Sequence, residues 1–150
     1  MISPWSVGRY ANQAGADTFK KNQIVPDLAA LKPLGKGYMP VVFPGFSWHN
    51  LNPSAPVNQI PRDGGKLYWR QVYNSLSAGV TMLYVAMFDE VDEGTAMFKI
   101  APQKQLLPVQ GTFLSLDIDG VALPSDFYLQ LGGATGRAMR GELPLSPALP

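Results

Sequence analysis

The sequence predicts an α/β fold built on a parallel sheet, and three observations carry that reading. Short apolar runs alternate with stretches of helical spacing along the 150 residues. Two of the runs, "YMPVVFPGFSW" at 38–48 and "VTMLYVAMF" at 80–88, are continuously apolar, as strands covered on both faces by helices must be. The residues after each run are aromatic, amide and acidic, and parallel α/β proteins keep their working side chains at those C-terminal strand ends.

In chain order, "ISPWSVGRY" predicts a short buried strand over 2–7. Residues 17–36 predict a helix in two pieces, with Pro26 in the first turn of the second and Gly35 or Gly37 ending it. The strand at 38–48 follows. "HNLNPSAPVNQIPRDGG" is a loop, broken by three prolines, and long enough to suggest a function. "GKLYWRQVYNSLSAG" is a helix with Leu67, Trp69, Val72, Tyr73 and Leu76 on one apolar face, and Gly79 closes it. Trp69 belongs to the core on that pattern. The strand at 80–88 leads into an irregular stretch, 96–112. "FLSLDIDGVAL" alternates and carries Asp119-Gly120, which predicts a strand and turn. A last helix begins at Pro124 and Ser125 and is weakened by its central Gly-Gly pair. The domain is expected to span 1–142, with "LPLSPALP" at 143–150 a frayed tail. Four such units are too few to close an eight-stranded barrel, so they make an open sheet or half of a barrel.

Composition narrows the function. Net charge is +1 with Lys and Arg scattered singly, which offers no basic stripe for nucleic acid. No apolar run is long enough to span a bilayer as a helix, and residues 1–25 lack a leader pattern. With no Cys and only His49, disulfides, thiolate chemistry, a multi-histidine metal site and a Ser-His-Asp triad are not expected. Charged residues make up only 15% of the chain, so much of it expects cover. No cofactor and no metal is expected.

The sharpest feature is "MLYVAMFDEVDEGTAMF". Of the 11 acids in the chain, four (Asp89, Glu90, Asp92 and Glu93) fall within five residues after a buried strand. Like charges so close raise one another's pKa. Such crowding leaves one carboxyl protonated while its neighbour is ionised, the division of labour that glycoside cleavage uses. Glu90 and Glu93, three apart in a turn, are the candidate pair. The plain alternatives are a solvated acidic loop, a helix N-terminus and a divalent-cation site. Trp5, Trp48, His49, Asn50, Arg62, Asp89 and Asp92 are candidates to line a cleft around the pair, because aromatic rings stack on pyranose faces while acids and amides bond hydroxyls. Each also has a structural reading: the tryptophans as core, His49 as a local hydrogen-bonder, Arg62 as a surface charge. Asp117, Asp119 and Gly120 form a scrap of a calcium loop, but Tyr128 stands where the last ligand would be, so a turn is the better reading.

These residues carry a resemblance. "FDEVDEGT" resembles the Glu-x-x-Glu-Gly-Thr motif of endo-α-1,2-mannosidase-type glycoside hydrolases, family 99, and of the relatives grouped as 71/99-like. "VVFPGFSWHN" is similar to that family's Pro-Gly-Phe strand end, "PRDGGKLYWRQVYN" to its Arg-x-Gly-Gly helix opening, and "LPSDFYLQLGG" to its C-terminal helix. The resemblance implies the C-terminal half of a (β/α)₈ barrel, with about four parallel strands. It implies hydrolysis of an α-linked oligo- or polysaccharide with retention, in which Glu90 is the base on the sugar's own 2-hydroxyl and Glu93 the general acid and then base. Val91 and Asp92 stand where the family often has Trp-His, a departure that touches mannose specificity. The resemblance also implies a glycan substrate and a periplasmic or extracellular setting. A half-barrel needs a missing N-terminal half or a second copy to cover its edges, unless an open sheet stands alone. The other class of function is a carbohydrate-binding half-barrel, or an inactive fragment, without turnover.

Overall fold

A computed structural model describes residues 1–150. Its centre is α3 (Lys66–Ser77), buried on nearly every side. One flank of α3 meets the sheet through Val42, another meets α4 (Phe127–Met139), and a third meets α1 (Gln13–Phe19). The main core joins Val42, Tyr68, Trp69, Val72, Met97, Leu116, Tyr128 and Leu131.

The sheet is parallel but small. β1 (Val41–Val42) pairs with β2 (Tyr84–Val85). A third extended segment joins β1's other side by a single parallel bridge, Ile2 to Tyr38, closed by bonds from the Ile2 amide to the Gly37 carbonyl and from the Met39 amide to the Ile2 carbonyl. Two strands and one parallel bridge therefore stand where about four strands were expected, beside an antiparallel bridge from Phe46 to Ile60. Pro40 and Pro44 bracket β1 and, lacking N–H groups, stop its ladder. The first segment is an edge and not a buried strand: Ile2 and Trp5 are about half exposed, and so are Tyr84 and Phe88 on and beyond β2. The 113–123 stretch forms no strand. It curls into a short 3₁₀ turn, Leu116–Asp119, because Asp119 is drawn to the loop before α3: its carboxylate accepts from the Asn58 side chain (2.7 Å) and the Asp63 amide (3.0 Å).

The first helix starts earlier than its apolar pattern suggests. Asn12 caps it, accepting from the Gly15 amide. It runs on as a π turn (Lys20–Ile24), α2 (Val25–Leu31) and a 3₁₀ turn (Lys32–Leu34), and ends at Gly35. The wide π turn sits just before Pro26, which offers no N–H to the turn behind it. Asp17 ties this helix to α3, accepting from Arg70 Nε and Nη2 (2.6 and 2.8 Å) and from the Asn74 side chain (2.8 Å). The last residues are not loose: the Trp69 indole donates to the Ser146 carbonyl at 2.8 Å, and Leu143 and Leu149 pack on the main core.

Gln71 joins α3 to the end of β1. Its side-chain oxygen accepts from the Phe43 amide (3.1 Å) and the Tyr10 hydroxyl (3.0 Å), while its nitrogen donates to the Phe43 carbonyl (2.7 Å) and to Leu67 (3.0 Å). Replacing Gln71 by Leu strands three buried groups at once. We expect a loss of about 3 kcal/mol, read as a shift of the denaturant midpoint.

Candidate functional site

The chain leaves β2 through Ala86, turns at residues 89–93 and doubles back. The Met87 amide bonds the Thr95 carbonyl (3.1 Å), and the amides of Met97 and Phe98 both bond the Phe88 carbonyl (2.9 Å). The four acids thus ride on the tip of a closed turn. Gly94 completes it with φ +67, a conformation side chains disfavour, and a Cβ there would stand 2.7 Å from Leu114.

Within the tip, Glu90 folds back. One of its carboxylate oxygens accepts from the amides of Asp92 (2.8 Å) and Glu93 (3.4 Å), leaving the other oxygen without a partner in the turn. Burial, reinforced by the charges of Glu90 and then Asp92, holds the Glu93 carboxyl above the ordinary carboxylate range. Asp89 and Asp92 are exposed. No group of three or more acids and histidines is arranged to hold a metal ion.

The turn is held from the β1 exit. The Ser47 amide donates to the Glu93 carbonyl at 2.7 Å. The Asn50 side chain donates to the carbonyls of Asp92 (2.9 Å) and Thr112 (2.9 Å). Arg62 donates to the carbonyls of Gly94 (2.9 Å) and Ala96 (2.7 Å). The structure therefore brings Asn50, Arg62, Glu90, Asp92 and Glu93 together.

The other candidates stand apart or face elsewhere. Arg62 is only 5% exposed, so it is neither a surface charge nor open to a ligand from solvent. His49 is turned into its own loop, donating from Nδ1 to the Ala55 carbonyl at 2.8 Å. Trp48 is half exposed beside Ser47. The aromatic neighbour of Trp5 is Tyr84, with ring centroids 6.2 Å apart.

Sequence reasoning did not single out Ser47, Tyr84 or Tyr128. Ser47 lies inside the apolar "FSW", where nothing marks its amide as a donor. Tyr128 lies beneath the Arg62 guanidinium at 4.5 Å, and burial pushes its phenol up to about 12. Neither Glu90 nor Glu93 lines the larger cavities. The cavity that reaches the turn, about 260 Å³, touches it at Val91 and is walled by Phe98, Ile100, Leu107, Phe113 and Leu114. A groove by Lys66, Leu131 and Arg137, about 480 Å³, belongs to the α3–α4 side, and one of about 490 Å³ lies by Val57, Thr112 and Phe113.

A parallel sheet layered with helices and a held acidic turn at a strand's C-terminal end define an α/β fold that matches part of a barrel glycoside hydrolase. Among the solved structures it resembles are two of the GH99 endo-alpha-mannosidase from Bacteroides thetaiotaomicron. The complex with bis-tris-propane superposes with a TM-score of 0.69 at 20% identity, over 84% of this chain and 37% of that one. A second structure of the same enzyme gives 0.68 at 20% identity, over 84% and 35%. The chain thus spans little more than a third of that enzyme's length, and the likeness is one of fold. No family model matches the sequence, and no curated protein matches it.

The Glu93 environment has a pH signature. A carboxyl raised in the folded state opposes folding only when ionised. The penalty is absent below the unfolded pKa and complete once pH has passed the folded one. Glu93→Gln should therefore raise stability at pH 7, and the gain should vanish near pH 3 in paired thermal melts.

Proposed function

We propose that this chain is part of a glycoside hydrolase acting on an α-linked glycan, with Glu90 and Glu93 as its catalytic pair. The observation that carries the reading is the held turn: two glutamates at one strand end of a GH99-like fold, in unlike environments. Glu93, held toward its protonated form, suits the acid that protonates a departing glycosidic oxygen. Glu90, fixed through one oxygen with the other open, suits a base. Under the mechanism that the family resemblance implies, Glu90 takes the proton of the sugar's 2-hydroxyl as that oxygen attacks the anomeric carbon. Glu93 gives its proton to the leaving oxygen, then takes one from the water that opens the ring so formed. Glu90 returns its proton to the 2-oxygen, and configuration is retained. Asn50 and Asp92 hold the turn's geometry, while Trp48 and Asp89 stand exposed beside it to meet the glycan.

The test is release of reducing ends from a panel of α-linked oligosaccharides, α-mannosides included. Glu93→Gln and Glu90→Gln should each lower kcat/KM by at least about 100-fold while the fold persists. Equal turnover in both variants removes the pair from the reaction.

One observation favours a second reading, a carbohydrate-binding module without turnover. Trp48, Trp5 and Tyr84 are exposed aromatic rings, and the acids line no large cavity. Glycans that bind unchanged to native chain and Glu93→Gln alike would select it.

The acids' missing wall belongs, in the proposed enzyme, to further strand–helix units that complete the sheet, supplied by more chain or by a second copy. Light scattering separates these. A second copy gives twice the 16.3 kDa chain mass. A monomer that binds apolar dyes requires the complementary part before any glycan assay is interpretable.

A further inference from the structure

We propose that Arg62 is the positioning residue of the acid turn: through the Gly94 and Ala96 carbonyls it fixes where Glu90 and Glu93 stand. This rests on the glycosidase reading for its purpose but not for its test. One nitrogen, Nη2, makes both bonds, at 2.9 and 2.7 Å, to carbonyls just beyond Glu93. The side chain is buried, yet none of the ion pairs in the structure includes it. Its charge rests instead on backbone carbonyls and the face of Tyr128.

Burying a guanidinium without a carboxylate is costly, and a neutral side chain would pack the same space more cheaply. What the cation supplies is strong donors aimed at one stretch of backbone. The β1 exit is shaped around its stem. A Cβ at Gly45 would lie 2.7 Å from Arg62 Cγ and 2.8 Å from the Ile60 carbonyl, so only glycine lets the two segments close. Arg62 thereby joins the β1 exit, the acid turn and α4. A merely structural clamp would hold the fold; a positioning residue must also hold the Glu93 carboxyl in the half-buried place where its charge is disfavoured.

The experiment is an NMR titration of the full chain with side-chain ¹³C-labelled glutamate. Glu93 is assigned by the signal lost in Glu93→Gln, and the variants are Arg62→Met and Arg62→Lys. In the parent, Glu93 should titrate above the ordinary carboxylate range. In Arg62→Met it should fall toward the ordinary carboxylate range as the turn opens to water. In Arg62→Lys, which keeps a cation but reaches less far, it should fall part of the way. If Arg62→Met does not fold, the lysine variant decides alone: a fall supports the proposal. Folded variants in which Glu93 titrates as in the parent overturn it, as does a parent Glu93 in the ordinary range. The two readings fail separately. A Glu93 that shifts, while glycan turnover is unchanged in Glu90→Gln and Glu93→Gln, keeps the clamp and removes the catalytic pair. A chain that cleaves glycan with an unmoved Glu93 does the reverse.

Discussion

The bond set on which this structure depends is the primary amide of Gln71 against the backbone of Phe43. β1 is two residues long, and Pro44 ends it, so Phe43 has no strand neighbour to satisfy its amide and carbonyl. A buried peptide group left unpaired costs as much as a lost hydrogen bond. Gln71 presents an acceptor and a donor in the spacing of a peptide unit and pairs with both. It thus acts as a third strand made of one side chain. Because it grows from α3, it also fixes the helix against the sheet, and because its oxygen takes the Tyr10 hydroxyl, it brings in the segment before α1. The β1 exit is rigid where it leaves the core, and everything that reaches the acid turn starts from there.

That rigidity answers the cost of the acid cluster. Four carboxylates within five residues repel, and a free turn would spread them into solvent. Here the backbone carbonyls of residues 92, 93, 94 and 96 are each taken by a donor from the β1 exit or the loop before α3: Asn50, the Ser47 amide and Arg62. The turn is gripped by its peptide groups, and the carboxyls are left to the repulsion. Glu90 relieves part of it by folding onto the turn's own amides. Glu93 has no such donor, and burial, followed by the charges of Glu90 and Asp92, raises its carboxyl. The two glutamates thus differ in the donors they meet.

How much of this was legible depended on whether the signal was local. α3 was legible from its spacing and α4 from the Pro124-Ser125 start. The two-piece first helix was legible from Pro26, and β1 from its unbroken apolar run. The resemblance of "FDEVDEGT" and its flanks to family 99 agrees with the fold shared with the endo-alpha-mannosidase structures. What was not legible is what distant partners decide. "FLSLDIDGVAL" alternates like a strand, yet Asp119 turns it by bonding Asn58 and Asp63, some sixty residues away. The early start at Asn12 carries a capping side chain but no apolar period to announce it. The tail reads as frayed because its anchor is a Trp69 indole in another element. Arg62 is the clearest case: a lone cation before two glycines reads as a surface or ligand charge, and only the folded chain shows two carbonyls and a ring waiting for it.

An asymmetry also appears in the sheet. Its helix-side face is closed, with Val42 at 1% exposure under Trp69 and Val72. On and beside its strands, Trp5, Tyr84 and Phe88 remain exposed, and Trp5 and Tyr84 have mainly each other. A chain with 15% charged residues has few polar side chains with which to finish such a surface. The bonds that set the acid turn are all internal to the chain, so the turn's shape does not wait on a partner. The larger cavities, by contrast, leave Glu90 and Glu93 unlined. Support and enclosure are therefore separable properties of this fold. The chain supplies the first by itself.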